Sequence, residues 1–163
     1  MAKWVDDFAK AEQLKQATTD ALEQKERAAS LTIRAEAPEY WRQLVMELKH
    51  AASELSQKAN LRIRAEASEH SEPHEYRARV RVTLIGTGTA PKVTYTDVFH
   101  RVGQSFIQCH TSEATAFKLH FAVRGDGSGI GVYAEDGNGV ILGPEQAAQH
   151  IVEPMAKQVC GTN

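Results

Sequence analysis

Four side chains that can act as acids, bases or metal ligands lie in the second half of the sequence. They are His100, His110, His120 and Asp97, and the thiol of Cys109 lies beside them. All fall in stretches where apolar and polar residues alternate, which is typical of strands. Imidazole and carboxylate groups bind transition metals and transfer protons. A sheet that gathered them would therefore form a metal site or an acid/base pair.

The turns between these stretches predict which residues face one another. A tight turn at residues 101–104 and a loop at residues 111–116 set the register of three strands. The predicted pairs are His100 with Ser105, His110 with Tyr95 and Phe117, and His120 with Ile107. This register separates His110 from the other two histidines, so we expect no metal and no cofactor. A small metal-assisted or acid/base enzyme remains an alternative function.

A second group of residues that could bind a ligand or partner lies between residues 75 and 86, where arginines alternate with apolar residues. One face carries Arg77, Arg79 and Arg81, and the other carries Tyr76, Ala78, Val80, Val82 and Leu84. A hairpin with residues 61–67 would add Arg62 and Arg64 to the arginine face. Guanidinium groups bind phosphates and carboxylates. We therefore predict that these five arginines contact a partner; the alternative is a solvated face balanced by Glu36 and Glu66.

The charge pattern favours a protein partner for this face. Residues 76–101 carry five basic side chains and one acid, although the whole chain has a net charge of -2. Single-stranded nucleic acid is bound through aromatic side chains that stack on bases. The phenylalanines and tyrosines are expected on the apolar face, so nucleic acid is disfavoured. A weak nucleic-acid binder that uses the arginine face is a further alternative.

The first part of the chain is expected to be a long helix. Residues 2–29 contain neither Gly nor Pro and are rich in helix-forming residues. A thin apolar stripe recurs at helical spacing: Trp4, Phe8, Ala11, Leu14, Ala21 and Leu22. We predict an N-terminal helical arm over residues 1–37 that binds a partner through Trp4 and Phe8. Alternatively, this helix packs along its own domain.

A nonapeptide occurs twice in the sequence. Residues 31–39 read LTIRAEAPE and residues 61–69 read LRIRAEASE. The second copy alternates like a strand, whereas the first could be a short strand or the end of the long helix. Pro38 is expected to begin the next helix, since proline is favoured at the first helical position. The apolar stripe of that helix comprises Trp41, Leu44, Val45, Leu48, Ala51, Ala52 and Leu55.

Strands and turns follow, and a final helix closes the chain. The short connections favour an antiparallel meander. The last helix is expected to begin near Pro144 and to kink or end near Glu153, because Pro154 lacks an N–H. The sequence thus predicts an α+β fold: a meander of about five to seven strands covered on one face by helices, with an α+β domain over residues 38–163.

Composition limits the function classes. The two cysteines, and the absence of a leader or membrane-spanning stretch, predict a cytoplasmic protein with no membrane partner. No serine elbow, paired-cysteine motif or phosphate-binding loop is present. We therefore expect a non-catalytic protein-interaction module, such as an inhibitor, an adaptor or an assembly or secretion chaperone. We also expect it to self-associate, as a homodimer.

Overall fold

A computed structural model describes residues 2–58, 62–86 and 90–161. Within these residues the helices are α1, Lys3–Lys58, and α2, Pro144–Cys160. The strands are β1 Ile63–Glu69, β2 Glu75–Leu84, β3 Lys92–Arg101, β4 Phe106–Thr111, β5 Ala116–Val123 and β6 Ile130–Ala134. They form one antiparallel sheet in sequence order, curled as a half-barrel. The predicted α+β fold with an antiparallel meander is confirmed.

The sheet has a buried face and an open face. On β2, Ala78, Val80 and Val82 are buried, whereas the three intervening arginines are exposed, as the alternation predicts. Both helices lie against the buried face. Leu44 and Leu48 of α1 and Ile151 of α2 are among the largest fully buried side chains in the core between the helices and the sheet. The arginines therefore lie on the face that neither helix covers.

Helix α1 runs through Pro38 without a break, so the prediction that a new helix begins there is wrong. A proline inside a helix removes one N–H, here the donor that would bond to the carbonyl of Arg34. The loss is local, and the residues that follow are tightly packed: Tyr40 and Trp41 are 4% and 3% exposed. Burial of this apolar stripe, which begins at Ala37, stabilises the helix across the proline and after it.

The two copies of the nonapeptide adopt different structures. Residues 31–39 are helical within α1, whereas residues 62–69 include strand β1. The uncertainty over residues 31–37 is therefore resolved in favour of helix. Leu61, with which the second copy begins, lies outside the described residues.

Helix α2 begins as predicted and continues past its internal proline. Pro144 occupies the first turn, and the N–H of Gly143 donates to Oε1 of Gln146 at 3.1 Å. Of the predicted kink or end near Glu153, the end is wrong, because the helix continues to Cys160. Buried residues on both sides of Pro154 hold it against the sheet: Ala147, Ala148, Ile151, Val152, Met155 and Val159. Gly161, with a φ of 71°, terminates the helix.

Two side chains of α1 bind the backbone of distant segments. The hydroxyl of Tyr40 donates to the carbonyl of Leu142 at 3.1 Å, and burial raises the pKa of this hydroxyl. The hydroxyl of Ser56 accepts from the N–H of Ala65 at 2.8 Å and donates to the carbonyl of Ala65 at 3.1 Å. Because β1 is an edge strand, Ser56 satisfies backbone groups that no neighbouring strand can reach. In the described part of the chain, neither helix is both long and apolar enough to cross a membrane.

Candidate functional site

We call the open face of the sheet the outer face. It brings together most of the candidate binding and catalytic residues. Its members share one feature: they alternate with buried residues along the strands. On β1 to β3 they include Arg64, Glu66, Arg77, Arg79, Arg81, Tyr95, Asp97 and Phe99. On β4 to β6 they include Phe106, Gln108, His110, Lys118, His120 and Tyr133.

Aromatic residues lie among the arginines of this face. Arg81 is directly opposite Tyr95, and Arg77 is directly opposite Phe99. Opposite residues of an antiparallel pair point to the same side of the sheet. The expectation that the tyrosines and phenylalanines avoid the arginine face is therefore wrong for β3, β4 and β6.

The reason lies in the residues that β3 buries. Thr94 and Thr96 are 2% and 1% exposed, and Thr94 Oγ1 lies 3.0 Å from Ser112 Oγ. Threonines thus occupy the core side of β3, which leaves Tyr95 and Phe99 on the outer side. The signal available in the sequence is the strict alternation of Tyr95, Asp97 and Phe99, which must share a face.

Arg79 is held in place on the outer face by a residue of the neighbouring strand. Its Nε and Nη2 donate to the two carboxylate oxygens of Asp97 at 2.7 and 3.1 Å. The guanidinium carbon lies 4.5 Å from the centre of the Tyr95 ring, a cation–π contact. The hydrogen bonds to Asp97 raise the pKa of Arg79. Arg79 is therefore a permanently charged group with a fixed orientation.

Acids accompany two more arginines of this face. Arg77 donates to Glu75 at 3.1 Å, and this bond raises the pKa of Arg77. Arg81 lies opposite Glu66 across the β1–β2 pair. The predicted balancing role of Glu36 is wrong, because Glu36 belongs to α1, which packs on the other side of the sheet.

Arg62 and Arg64 continue the arginine face toward the edge of the sheet. Arg64 lies opposite Thr83, and Arg62 precedes β1, where its carbonyl accepts from the N–H of Ile85 at 2.7 Å. Both side chains are exposed. The predicted hairpin between the two arginine-bearing stretches is confirmed.

A cavity opens on the outer face over β1 to β4. Its volume is about 490 Å³, and polar and aromatic side chains line it: Ser68, His70, Arg77, Arg79, Asp97, Phe99 and His110. The rings of Phe99 and His110 meet edge to face, with centroids 4.9 Å apart. This combination of fixed guanidiniums, imidazoles and a phenyl ring suits a planar ligand that carries an anionic group.

The histidines occupy two faces, in a register that differs from the predicted one. His110 lies opposite Asp97 instead of Tyr95, a shift of two residues that keeps its face. His110 lies opposite Ala116 instead of Phe117, and His120 opposite Phe106 instead of Ile107. The shift between β4 and β5 arises because the loop that joins them is shorter than predicted. The N–H of Thr111 closes this loop by donating to the carbonyl of Thr115 at 2.9 Å. A shift of one residue exchanges the faces, so His110 and His120 share the outer face.

His100 is a structural histidine of the core. It is 3% exposed, and its Nδ1 lies 3.0 Å from the carbonyl oxygen of Phe106. A carbonyl can only accept, so Nδ1 carries the proton and donates it. Burial lowers the pKa of His100, which favours the neutral ring.

The remaining candidate groups do not assemble a reactive centre. Nε2 of His120 lies 2.9 Å from Oε1 of Glu135, away from His100. Cys109 is buried, and burial raises the pKa of its thiol, so it stays protonated. In residues 2–58, 62–86 and 90–161, no group of three or more His, Cys, Asp and Glu side chains could hold a metal ion.

The first half of α1 forms a second exposed surface. Every residue from 2 to 28 is exposed, so this segment is not covered by the rest of the chain. Trp4, Phe8 and Leu14 are 70%, 62% and 70% exposed. Of the predicted arm over residues 1–37, residues 3–28 are the fully exposed part of α1, and the name arm refers to them from here on. At 1.5 Å per residue this segment is about 39 Å long.

These surfaces belong to an α+β protein with a six-stranded antiparallel meander, one open sheet face and an exposed helical arm. Comparison with protein-family models, curated proteins and solved structures finds no match in any of the three.

Proposed function

We propose that this protein is a non-catalytic protein-interaction module that self-associates through the arm. The observation that carries the proposal is the exposure of large apolar side chains on a helix that the rest of the chain does not cover. Trp4 and Phe8 alone leave most of their surface in water. Burying such surface contributes about 25 cal/mol per Å², so a second helix laid along the arm would be stabilised.

The spacing of the stripe favours another helix as the occupant. Trp4, Phe8 and Ala11 are separated by four and three residues, and Leu22 lies fourteen residues after Phe8. This is the spacing of a coiled-coil seam. Lys15 and Thr18 interrupt the seam between Ala11 and Leu22, so we expect a reversible association that depends on protein concentration.

The charge of the arm favours a second copy of the same chain. Residues 2–28 contain five Lys and Arg against six Asp and Glu. Two such arms are nearly neutral and do not repel each other strongly. A self-associating chain would also present two outer faces in one particle, which increases the avidity for a shared partner. Inhibitors, adaptors and assembly chaperones use binding surfaces of this kind.

Analytical ultracentrifugation of the full chain tests the proposal. The wild-type protein is expected to shift from the monomer mass to the dimer mass as its concentration rises. Replacing Trp4 and Phe8 together by serine is expected to leave the monomer alone. The control is Gln13→Ser, because Gln13 is nine residues from Trp4 and lies on the opposite side of the helix.

Two results would overturn self-association through the arm. One is a wild-type chain that stays monomeric over the whole concentration range. The other is a double variant that dimerises as strongly as the Gln13→Ser control. Circular dichroism on each variant checks that α1 remains helical, since the exposed positions carry no core contacts.

A further inference from the structure

We propose that the outer face binds single-stranded nucleic acid. This proposal does not depend on self-association, because the arm and the outer face are separate surfaces. It follows from the placement of aromatic rings and basic side chains on one open sheet face, which the strand register creates.

The rings form two stacking surfaces. On β3 and β4, Phe99 lies against His110 in the cavity described above. Across β4 to β6, Phe106, His120 and Tyr133 occupy one row, with successive centroids 6.1 and 5.2 Å apart. Exposed bases stack on such rings irrespective of sequence.

Basic side chains accompany both surfaces. Nζ of Lys118 lies 4.6 Å from the ring centre of Phe106 in the second surface. Arg79 lines the cavity that holds the first surface, and its guanidinium lies 4.5 Å from the ring centre of Tyr95. Basic side chains that follow the phosphate backbone, combined with rings on which bases stack, are typical of surfaces that bind single strands. Arg77 and Arg81 extend this arrangement along β2.

The carboxylates of the face orient its arginines and leave donors for a phosphate. Asp97 takes Nε and Nη2 of Arg79, which leaves Nη1 for an incoming oxygen. Glu75 takes Nη2 of Arg77. Guanidiniums already fixed in this way lose less side-chain entropy when an anion binds.

Other anionic partners fit less well. An acidic protein surface would engage the guanidiniums but has no planar groups for two sets of rings. A nucleic-acid duplex hides its base faces, so it too would leave the rings unused. The cavity of about 490 Å³ lies in the size range of sites that enclose small ligands, which suits one splayed nucleotide.

Fluorescence anisotropy tests the proposal with labelled oligothymidine and oligouridine of about 15 nucleotides, the upper range of such sites. Binding is expected at low salt, with an affinity that falls as salt rises. A duplex of the same length is expected to bind at least tenfold more weakly. Binding of either single-stranded probe supports the proposal, and the better probe identifies DNA or RNA.

Two variants of the outer face test whether stacking and arginine contacts, rather than net charge, determine the affinity. Replacing Phe99 and Phe106, one ring from each stacking surface, together by alanine is expected to lower the affinity at least tenfold. The pair Arg79→Gln with Asp97→Asn keeps the net charge and is expected to lower the affinity severalfold. Its matched control is Arg42→Gln with Glu39→Gln, which removes a 2.6 Å ion pair of α1 and should leave binding unchanged.

Several outcomes would overturn the proposal. One is the absence of any anisotropy change at low salt. A second is equal affinity for duplex and single strand. A third is displacement of the probe by polyglutamate of the same charge at equal concentration. Unchanged binding by both outer-face variants would also do so. The melting temperature of each variant is measured first. If one outer-face variant unfolds, the other decides; if both unfold, the salt, duplex and polyglutamate measurements on the wild-type chain decide.

Discussion

Asp97 binds Arg79 through both of its carboxylate oxygens, at 2.7 and 3.1 Å, across the β2–β3 pair of the outer face. The contact joins residues that lie eighteen positions apart and fixes the guanidinium above Tyr95. Because Arg79 and Asp97 are 48% and 37% exposed, solvent screens their attraction. The pair therefore orients the outer face more than it stabilises the fold.

A double-mutant cycle on this pair measures that contribution. Replacing Arg79 and Asp97 by alanine, singly and together, is expected to give a coupling of about 0.5 to 1 kcal/mol in the free energy of unfolding. The coupling should fall when salt is added, since the charges are accessible to ions. Urea unfolding at low and high salt provides the measurement. A coupling that is large and independent of salt would contradict this account.

Two leucines of α1 should respond very differently to the same substitution. Leu48 is 0% exposed and Leu14 is 70% exposed. Leu48→Ala is expected to lower the free energy of unfolding by about 2 to 5 kcal/mol, because it leaves a cavity in the core. Leu14→Ala is expected to change it by less than about 0.5 kcal/mol at a concentration where the chain is monomeric. Denaturant unfolding of both variants measures these two changes in the free energy of unfolding.

Ser56 is expected to stabilise the edge of the sheet. Ser56→Ala removes both hydrogen bonds to the backbone of Ala65 and should cost about 1 to 3 kcal/mol of unfolding free energy. Hydrogen exchange at the Ala65 amide should accelerate as well. Ser53→Ala is the control, since Ser53 is exposed on the same helix. Equal effects of the two substitutions would show that the edge contact does not stabilise the sheet.

His100 should make stability depend on pH. Its pKa is lowered in the folded state by burial, so the unfolded chain binds a proton more readily as the pH falls below about 6.5. The stabilisation is complete above that pH and is lost as the pH falls toward the folded pKa, at no more than about 1.4 kcal/mol per pH unit.

Unfolding at pH 7.5 and pH 5.5 tests this sign. The wild-type chain should lose more free energy of unfolding between these values than His100→Gln, which cannot titrate. Other groups titrate equally in both proteins, so the difference between them isolates His100. An identical loss in the two proteins would contradict the assignment of His100 as a buried neutral ring.

The two thiols should differ in reactivity. Cys160 is exposed at the end of α2, whereas Cys109 is fully buried with a raised pKa. A thiol reagent is therefore expected to label one cysteine in the native protein and both in urea. Peptide mapping should identify Cys160 as the native site. Rapid native labelling of Cys109 would show that β4 opens far more readily than its packing implies.

Alternation and composition were sufficient to predict much of this fold. The period of two on β2 assigned Ala78, Val80 and Val82 to the core because every strand has that period, whatever its neighbours. Short polar connections likewise predicted the antiparallel meander, since parallel neighbours need long crossovers. The outer-face arginines were found for the same reason.

The position of the aromatic residues on the outer face could be established only from the tertiary structure. Tyr95 and Phe99 point outward because buried threonines fill the core side of β3, a choice made by packing. The loop closed by Thr111 and Thr115 is shorter than predicted, and one residue suffices to move a histidine to the other face. Register is a property of two strands and a turn together, so a single strand cannot specify it.

The repeated nonapeptide shows the same limit. By itself the sequence establishes that residues 31–39 and 61–69 share seven positions, including the alternating Ile-Arg-Ala-Glu-Ala. Only the tertiary structure made the first copy helix and the second copy strand. The first continues into the buried stripe that begins at Ala37, whereas residues 63–69 of the second pair with β2. Local preference is too weak to decide between these states, and the long-range contacts supply the difference in free energy.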